Sequence, residues 1–262
     1  MQLVTLTTDW GTKDWYNGQI KGKLYSAVKD IQIVDINHNI NKFDLLSTAF
    51  VVKQACMDFP ENTIHIIDVN TYEDKDRSFV VVKYNNQFFI CTDNGLPSMI
   101  FENKQVEITN LQNILAESNY YTFAVLDVFV KVVGILSEKH STESLGQVLD
   151  GFCVESYFPQ ASIFPSSIAC QVIYIDDYGN CYLNIDDVTF TKALAGRGFE
   201  LRVDADCTIS RISSSYQDAT IIGKALLTVS STHNLELAIR EDNFARLLGY
   251  EIGSKVIINI KA

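Results

Sequence analysis

Asp9 follows the β-type run Leu3 to Thr8, and Asp68 lies at the carboxyl end of the run Thr63 to Val69. If both runs are strands, each carboxylate stands at a strand's carboxyl end, where open α/β sheets bind ligands. A carboxylate there accepts two hydrogen bonds side by side, which matches the vicinal hydroxyls of a ribose. The alternative is that Asp9 caps the following helix or closes an Asx turn. Asp14, in the same loop, would hold an ammonium group or sit solvated. Two carboxylates converging on one crevice suit a polar or cationic ligand. No histidine or third acid stands at an evident ligand spacing, so a metal is not indicated. His38 and His65 are isolated, and His65, inside a strand run, reads as a core or edge histidine rather than a catalytic one. Much later, Asp176-Asp177-Tyr178-Gly179-Asn180 separates two strand-like runs. Its ring can stack and its amide can both donate and accept, a pairing that fits a purine edge; the same composition also makes a tight turn.

These residues need a scaffold, and the apolar spacing predicts one. Leu3 to Thr8 is a strand, and Ile20, Leu24, Ala27 and Val28 fall at helical spacing after it. Ile31 to Ile36 is a second strand, followed by the helical stripe Leu45, Leu46, Ala49, Phe50 and Cys56. Thr63 to Val69 is a third. Such alternation predicts a mostly parallel sheet with helices on both faces, because parallel neighbours need crossovers that helices provide. Ser78 to Tyr84 and Gln87 to Thr92 flank Asn85-Asn86, a link suited to positive φ, so a hairpin is expected there. Tyr121 to Ser137 is expected as the last long helix of this half.

Between Gly151 and Ser167 lie Pro159 and Pro165 with several aromatics and little periodicity, the composition of a domain connection. The expected division is an α/β nucleoside-binding domain over 1–155, a linker over 156–167 and a β-rich domain over 168–262. In the last, Ile168 to Ile175, Cys181 to Ile185, Ala219 to Val229, Asn234 to Ile239 and Lys255 to Ile260 read as strands. The expected second domain is small and mainly antiparallel.

Composition sets outer limits. The chain has 262 residues, 47% of them hydrophobic, enough to bury two cores without a disorder signature. Its net charge of -11 repels phosphate backbones and anionic lipid, so neither nucleic acid nor a membrane is an expected partner. The opening Met-Gln-Leu-Val-Thr-Leu has no basic region and no long apolar stretch, which points away from secretion. The six cysteines contain no CxxC pair and read as reduced thiols, so a cytoplasmic setting is expected.

Taken in order, the motifs resemble a family: the enzymes acting at the 5′-carbon of S-adenosylmethionine, namely the hydroxide adenosyltransferases (S-adenosylmethionine hydrolases) with the related fluorinases and chlorinases. Thr7-Thr8-Asp9-Trp10-Gly11-Thr12-Lys13-Asp14 with Tyr16, Gly18 and Lys21-Gly22 carries the resemblance first. Asp35-Ile36-Asn37-His38, Phe59-Pro60, Asp93-Asn94-Gly95-Leu96, Asp127-Val128-Phe129, Tyr178-Gly179-Asn180 and Leu235-Glu236-Leu237-Ala238 continue it along nearly the whole chain. The resemblance implies a homotrimer with sites between subunits, S-adenosylmethionine as substrate or ligand, and no separate cofactor. It implies that Asp9 holds the ribose hydroxyls and Asp14 faces the amino-acid end. Phe43 would pack on the nucleoside, Tyr178 and Asn180 on the adenine, and Ser231 would lie near the methionine portion. The chemistry implied is an in-line displacement by a desolvated nucleophile, with a neutral thioether departing. In the water-using members an Asp, an Arg and a His orient the water; Asp68 and Arg77 are the catalytic candidates here.

The sequence departs from that pattern twice. The glycines that normally follow the aspartate are replaced in Asp68-Val69-Asn70-Thr71-Tyr72-Glu73-Asp74-Lys75-Asp76-Arg77, and Arg77 stands farther along than the family spacing requires. In Thr122-Phe123-Ala124-Val125-Leu126-Asp127, Ala124 takes the histidine's place, and Val125 offers a halide neither a donor nor room. Three functions follow: an S-adenosylmethionine hydrolase relying on Asp68 with Arg77 or Lys75, a non-catalytic binder of the same ligand, or an oligomeric scaffold without a working pocket.

Overall fold

A computed structural model describes residues 1–72, 78–111, 114, 123–219 and 221–261. The chain forms two compact units, Met1–Phe158 and Pro159–Ala262. Both units carry mixed sheets and helices, giving a two-domain α/β protein.

In the first unit β1 (Gln2–Thr8), α1 (Tyr16–Ala27), β2 (Ile31–Asn37), α2 (Leu45–Ala55) and β3 (Ile64–Asp68) alternate as the spacing predicts. The hairpin strands β4 (Phe79–Tyr84) and β5 (Gln87–Thr92) follow, then α3 (Leu96–Ile100), β6 (Glu107–Asn110), α4 (Val128–Lys139) and β7 (Val148–Leu149). Their sheet has the order β2-β1-β3-β5-β4-β6-β7. β1 pairs in parallel with both β2 and β3, and β3 with β5. β4 pairs antiparallel with β5 and β6, and β6 with β7, so the sheet is mixed rather than mostly parallel, because the hairpin adds its strands without a crossover. The hairpin closes through Asn85 and Asn86 at φ 48° and 57°, the left-handed pair that a two-residue turn between twisted strands requires.

Alternation along β1 serves two layers. Val4 and Leu6 join a buried cluster with Ile20 and Leu24 of α1 and with Phe129 and Val132 of α4. Thr5 and Thr7 face the other way, toward the Cys56 thiol at the end of α2, which burial pushes up to about 12. The helix expected over Tyr121 to Ser137 begins only at Val128, where the Asp127 carboxylate accepts from the Val128 N–H at 2.8 Å. A tight 3-10 turn over Ala124–Leu126 precedes it, and Tyr121 and Thr122 lie outside the described residues. Apolar composition continues across that cap, so periodicity alone ran the helix too far toward its N-terminus.

In the second unit β8 (Ser162–Phe164), β9 (Ser167–Ile175), β10 (Cys181–Asp186), α5 (Asp187–Leu194), β11 (Phe199–Arg202), β12 (Thr208–Ile209), β13 (Ile212–Ser213), β14 (Ala225–Val229), β15 (Asn234–Ile239), α6 (Phe244–Leu248) and β16 (Lys255–Ile260) follow in order. The sheet runs β12-β11-β16-β9-β10-β15-β14-β13, with β8 pairing β9. β13 and β14 pair in parallel, and the remaining pairs are antiparallel. The strand expected over Ala219 to Val229 starts at Ala225, because Lys224 N–H closes a turn on the Ile221 carbonyl. Among the described residues no helix is long and apolar enough to cross a membrane.

Candidate functional site

The order β2-β1-β3 means that the chain leaves β1 to one side and returns to its other side, so a switch point lies between the carboxyl ends of β1 and β3. Thr8 is the register partner of Asp68 there, and Asp9 is the next residue along. The topology therefore places both sequence-predicted carboxylates at the crevice that this kind of sheet provides.

Asp9 does not cap α1. Trp15 occupies that position without a side-chain cap, and the Asp9 Oδ2 accepts from the Phe43 N–H at 2.9 Å. Lys42 Nζ donates to the Asp9 carbonyl, and the Gly11 N–H donates to the His38 carbonyl at 2.6 Å. The loop after β1 is thus tied to the loop after β2, and Asp9 is held by backbone rather than by its own helix. Phe43 stands at φ 65° and is 68% exposed. Asp14 is exposed in the turn before α1. His38 packs into the same loops: its Nδ1 lies 2.8 Å from the Thr8 hydroxyl and its Nε2 lies 3.1 Å from the Asp35 carboxylate.

Asp68 is 4% exposed. Burial pushes its carboxyl up to about 7; the neighbouring Asp9 charge adds to this, while the Thr71 and Trp10 side chains oppose it. The acid therefore changes charge near neutral pH, the range in which a carboxylate can take up and release a proton. Trp10 is fixed from the other side by an edge contact with Phe123 at 5.1 Å and a stacked contact with His38 at 6.3 Å. The exit of β3 is clamped as well. Asn94 Nδ2 donates to the Val69 and Asn70 carbonyls at 3.3 and 3.2 Å, while its Oδ1 accepts from Leu96 N–H at 3.1 Å. Asp93 beside it is buried and accepts from the Cys153 N–H at 2.6 Å.

Ala124 and Val125 are both buried in the core beneath Phe123, so the place of the expected histidine is apolar. Arg77 and Lys75 lie outside the described residues. His65 is a core residue: its Nδ1 is 2.8 Å from the Thr5 hydroxyl, its ring stacks on Phe89 at 4.4 Å, and burial lowers it to about 3. Among the described residues no group of three or more His, Cys, Asp and Glu is arranged to hold a metal.

In the second unit, Tyr178 and Asn180 line a cleft of about 1030 Å³ together with Asp176, Tyr182, Tyr216 and Arg240. The turn between β9 and β10 forms one wall. Gly179 stands at φ 85° against Asn243, where a Cβ would come within 2.1 Å of the Asn243 side chain. Tyr178 projects its ring at 81% exposure, whereas Asn180 is buried. Behind the cleft the Tyr216 hydroxyl donates to the buried Glu236 carboxylate at 2.6 Å, and burial raises the Glu236 pKa. Ser231 lies elsewhere. It sits exposed in the turn between β14 and β15, at the Asn234 end of β15, whereas the cleft lies at the Ile239 end. Those five steps of strand span roughly 17 Å, so Ser231 stands toward the opposite end of β15 from Asn180.

The roles of Trp10, Asn94, Asp93 and Asp176 escaped the sequence reading. Asp93 and Asn94 work through partners far along the chain, and their only local signal is the Asp-Asn-Gly run before a short helix.

Comparison with known proteins bears on both units. The profile of the SAM hydroxide adenosyltransferase N-terminal domain matches residues 4–146, and that of the corresponding C-terminal domain matches residues 170–257. An (R)-S-adenosyl-L-methionine hydrolase from Methanocaldococcus jannaschii is 28% identical over 203 residues, covering 72% of this chain and 70% of its own. A fluorinase from Actinopolyspora mzabensis is 22% identical over 273 residues, covering 90% of each chain. A crystal structure of an uncharacterized conserved protein from Thermotoga maritima shares the fold, with a TM-score of 0.86 at 24% identity over 98% of this chain and 99% of that one.

Proposed function

Since the chain belongs to the SAM hydroxide adenosyltransferase family, we propose that it hydrolyses S-adenosylmethionine to adenosine and methionine. Water attacks the 5′-carbon, the new C–O bond forms as the C–S bond breaks, and the sulfur keeps the bonding pair and departs as the neutral thioether of methionine. The water's proton passes to the Asp68 carboxylate and then to solvent. The single observation that carries this reading is the juxtaposition of Asp68, buried and poised near neutral pH, with Asp9 at the β1/β3 switch point. Asp9 takes the ribose hydroxyls, Asp14 the ammonium group of the substrate and Phe43 a nucleoside face. Tyr178 and Asn180 take the adenine, Ser231 the methionine end, and Arg77 polarises the water. Sites shared between the subunits of a homotrimer, in the cytoplasm, belong to the same proposal. Water rather than halide is the nucleophile because Val125 is a wholly buried hydrocarbon side chain with no donor.

Chromatography of adenosine released from S-adenosylmethionine tests the reaction. Wild type should release it and Asp68→Asn should not; release by the variant removes Asp68 from the chemistry. One observation favours a second reading, a binder without turnover: Ala124 is buried in hydrocarbon where the resemblance expects an imidazole. Calorimetric heat on adding S-adenosylmethionine with no adenosine formed selects that reading.

A further inference from the structure

We propose that Asp176 sets base specificity: it locks the Asn180 amide with its nitrogen toward the cleft wall and its oxygen toward the ligand, so that the cleft selects a 6-aminopurine over a 6-oxopurine. The inference rests on the adenosyl reading of this cleft.

The Asp176 Oδ2 accepts from Asn180 Nδ2 at 3.1 Å, and its Oδ1 accepts from the Asn180 backbone N–H at 2.9 Å. A carboxylate only accepts, so the amide atom facing it must be the nitrogen, and the alternative rotamer would set two acceptors against each other. The Tyr182 hydroxyl donates to the same Oδ2 at 3.3 Å. Burial raises the Tyr182 pKa well above the usual phenol range, which keeps that proton in place as a donor. The backbone is fixed too. Asp176 N–H donates to the Asn180 carbonyl at 3.1 Å, and Gly179 N–H donates to the Asp176 carbonyl at 2.9 Å. Close packing of Gly179 on Asn243 removes room for the turn to shift.

With one Nδ2 hydrogen committed to Asp176, the amide has its oxygen and its second N–H left for a ligand. That acceptor and donor match the exocyclic amine and N7 of adenine, the pair an asparagine reads on a purine edge. A 6-oxopurine brings an oxygen against the Asn180 oxygen instead. Turning the amide to suit it would break the bond to Asp176 and leave two oxygens in contact.

Calorimetry of the full chain with adenosine and with inosine tests this without S-adenosylmethionine turnover. Wild type should prefer adenosine by about tenfold or more. Asp176→Asn can present either amide atom to Asn180, so the ratio should fall to within about threefold, chiefly through gained inosine affinity. A merely structural lesion would weaken both nucleosides and leave the ratio alone. Asn180→Ser, which removes the amide, should also bring the two toward parity. Equal affinities in wild type, or a ratio unchanged in both variants, overturn the role of Asp176 while leaving the adenosyl reading intact. Absence of heat with either nucleoside overturns both.

Discussion

Replacing Asp68 by asparagine keeps the shape of the side chain and removes its titration, so the variant isolates what the buried acid does to stability. In the folded protein the Asp68 pKa lies at about 7, against 3.8 for the ordinary group. Between those values the folded chain holds a proton that the unfolded chain has released. Fewer protons on the unfolded state mean that stability declines as pH rises. The contribution is full below about pH 4 and is lost as pH passes through about 7. At ~1.36 kcal/mol per pH unit the total is about 4 kcal/mol, of which about 3 kcal/mol falls between pH 5 and 8. His65, lowered to about 3 from 6.5, contributes with the opposite sign: its stability is present above pH 6.5 and is lost as pH falls. The raw curve of the protein therefore blends two slopes, whereas the difference between wild type and Asp68→Asn cancels the His65 part. Urea unfolding of both proteins at pH 5, 6, 7 and 8 measures it. Wild type should lose about 3 kcal/mol relative to the variant over that range, with little change above pH 7.5. A difference independent of pH would refute the burial argument for Asp68 and with it the general-base role.

Three further outcomes follow from named contacts. The His65 ring signals in a proton NMR titration should stay at their neutral positions from pH 8 down to pH 4, and a midpoint near 6 would contradict the burial described for it. Gly179→Ala forces a Cβ into the Asn243 side chain at positive φ, and urea unfolding should show a loss of about 1–3 kcal/mol; an unchanged midpoint would mean that the turn is free to move. Asp9→Ala removes the acceptor for the Phe43 N–H and the proposed ribose contact, so adenosine affinity should drop about tenfold or more by calorimetry. Unchanged affinity would leave Asp9 as a loop tie alone.

Much of the first unit was legible because its signals are local. Strand and helix periods alternate from Leu3 to Val69, and Asn85-Asn86 announces a turn through residues that tolerate positive φ. The start of α4 was misread because Phe123 to Leu126 is as apolar as the helix it precedes, and only the Asp127 cap marks the boundary. Placement of Asp9 and Asp68 followed from strand ends, but what holds Asp9 did not. Its partner is a backbone N–H in the loop after β2, and backbone donors leave no mark in a sequence. Asp176 was read as part of a turn because an Asp-Asp-Tyr-Gly-Asn run looks the same whether or not its first carboxylate also reaches the amide at its end. Ser231 rested on resemblance alone, and the antiparallel register that sets it at the far end of β15 from Asn180 is a long-range property.

The most direct measurement of the central claim is isotopic. Purified protein incubated with S-adenosylmethionine in water enriched in oxygen-18, followed by mass spectrometry, should give adenosine carrying one heavy oxygen at its 5′-hydroxyl and methionine carrying none. Absence of adenosine, or adenosine without the label, would contradict attack by water at the 5′-carbon.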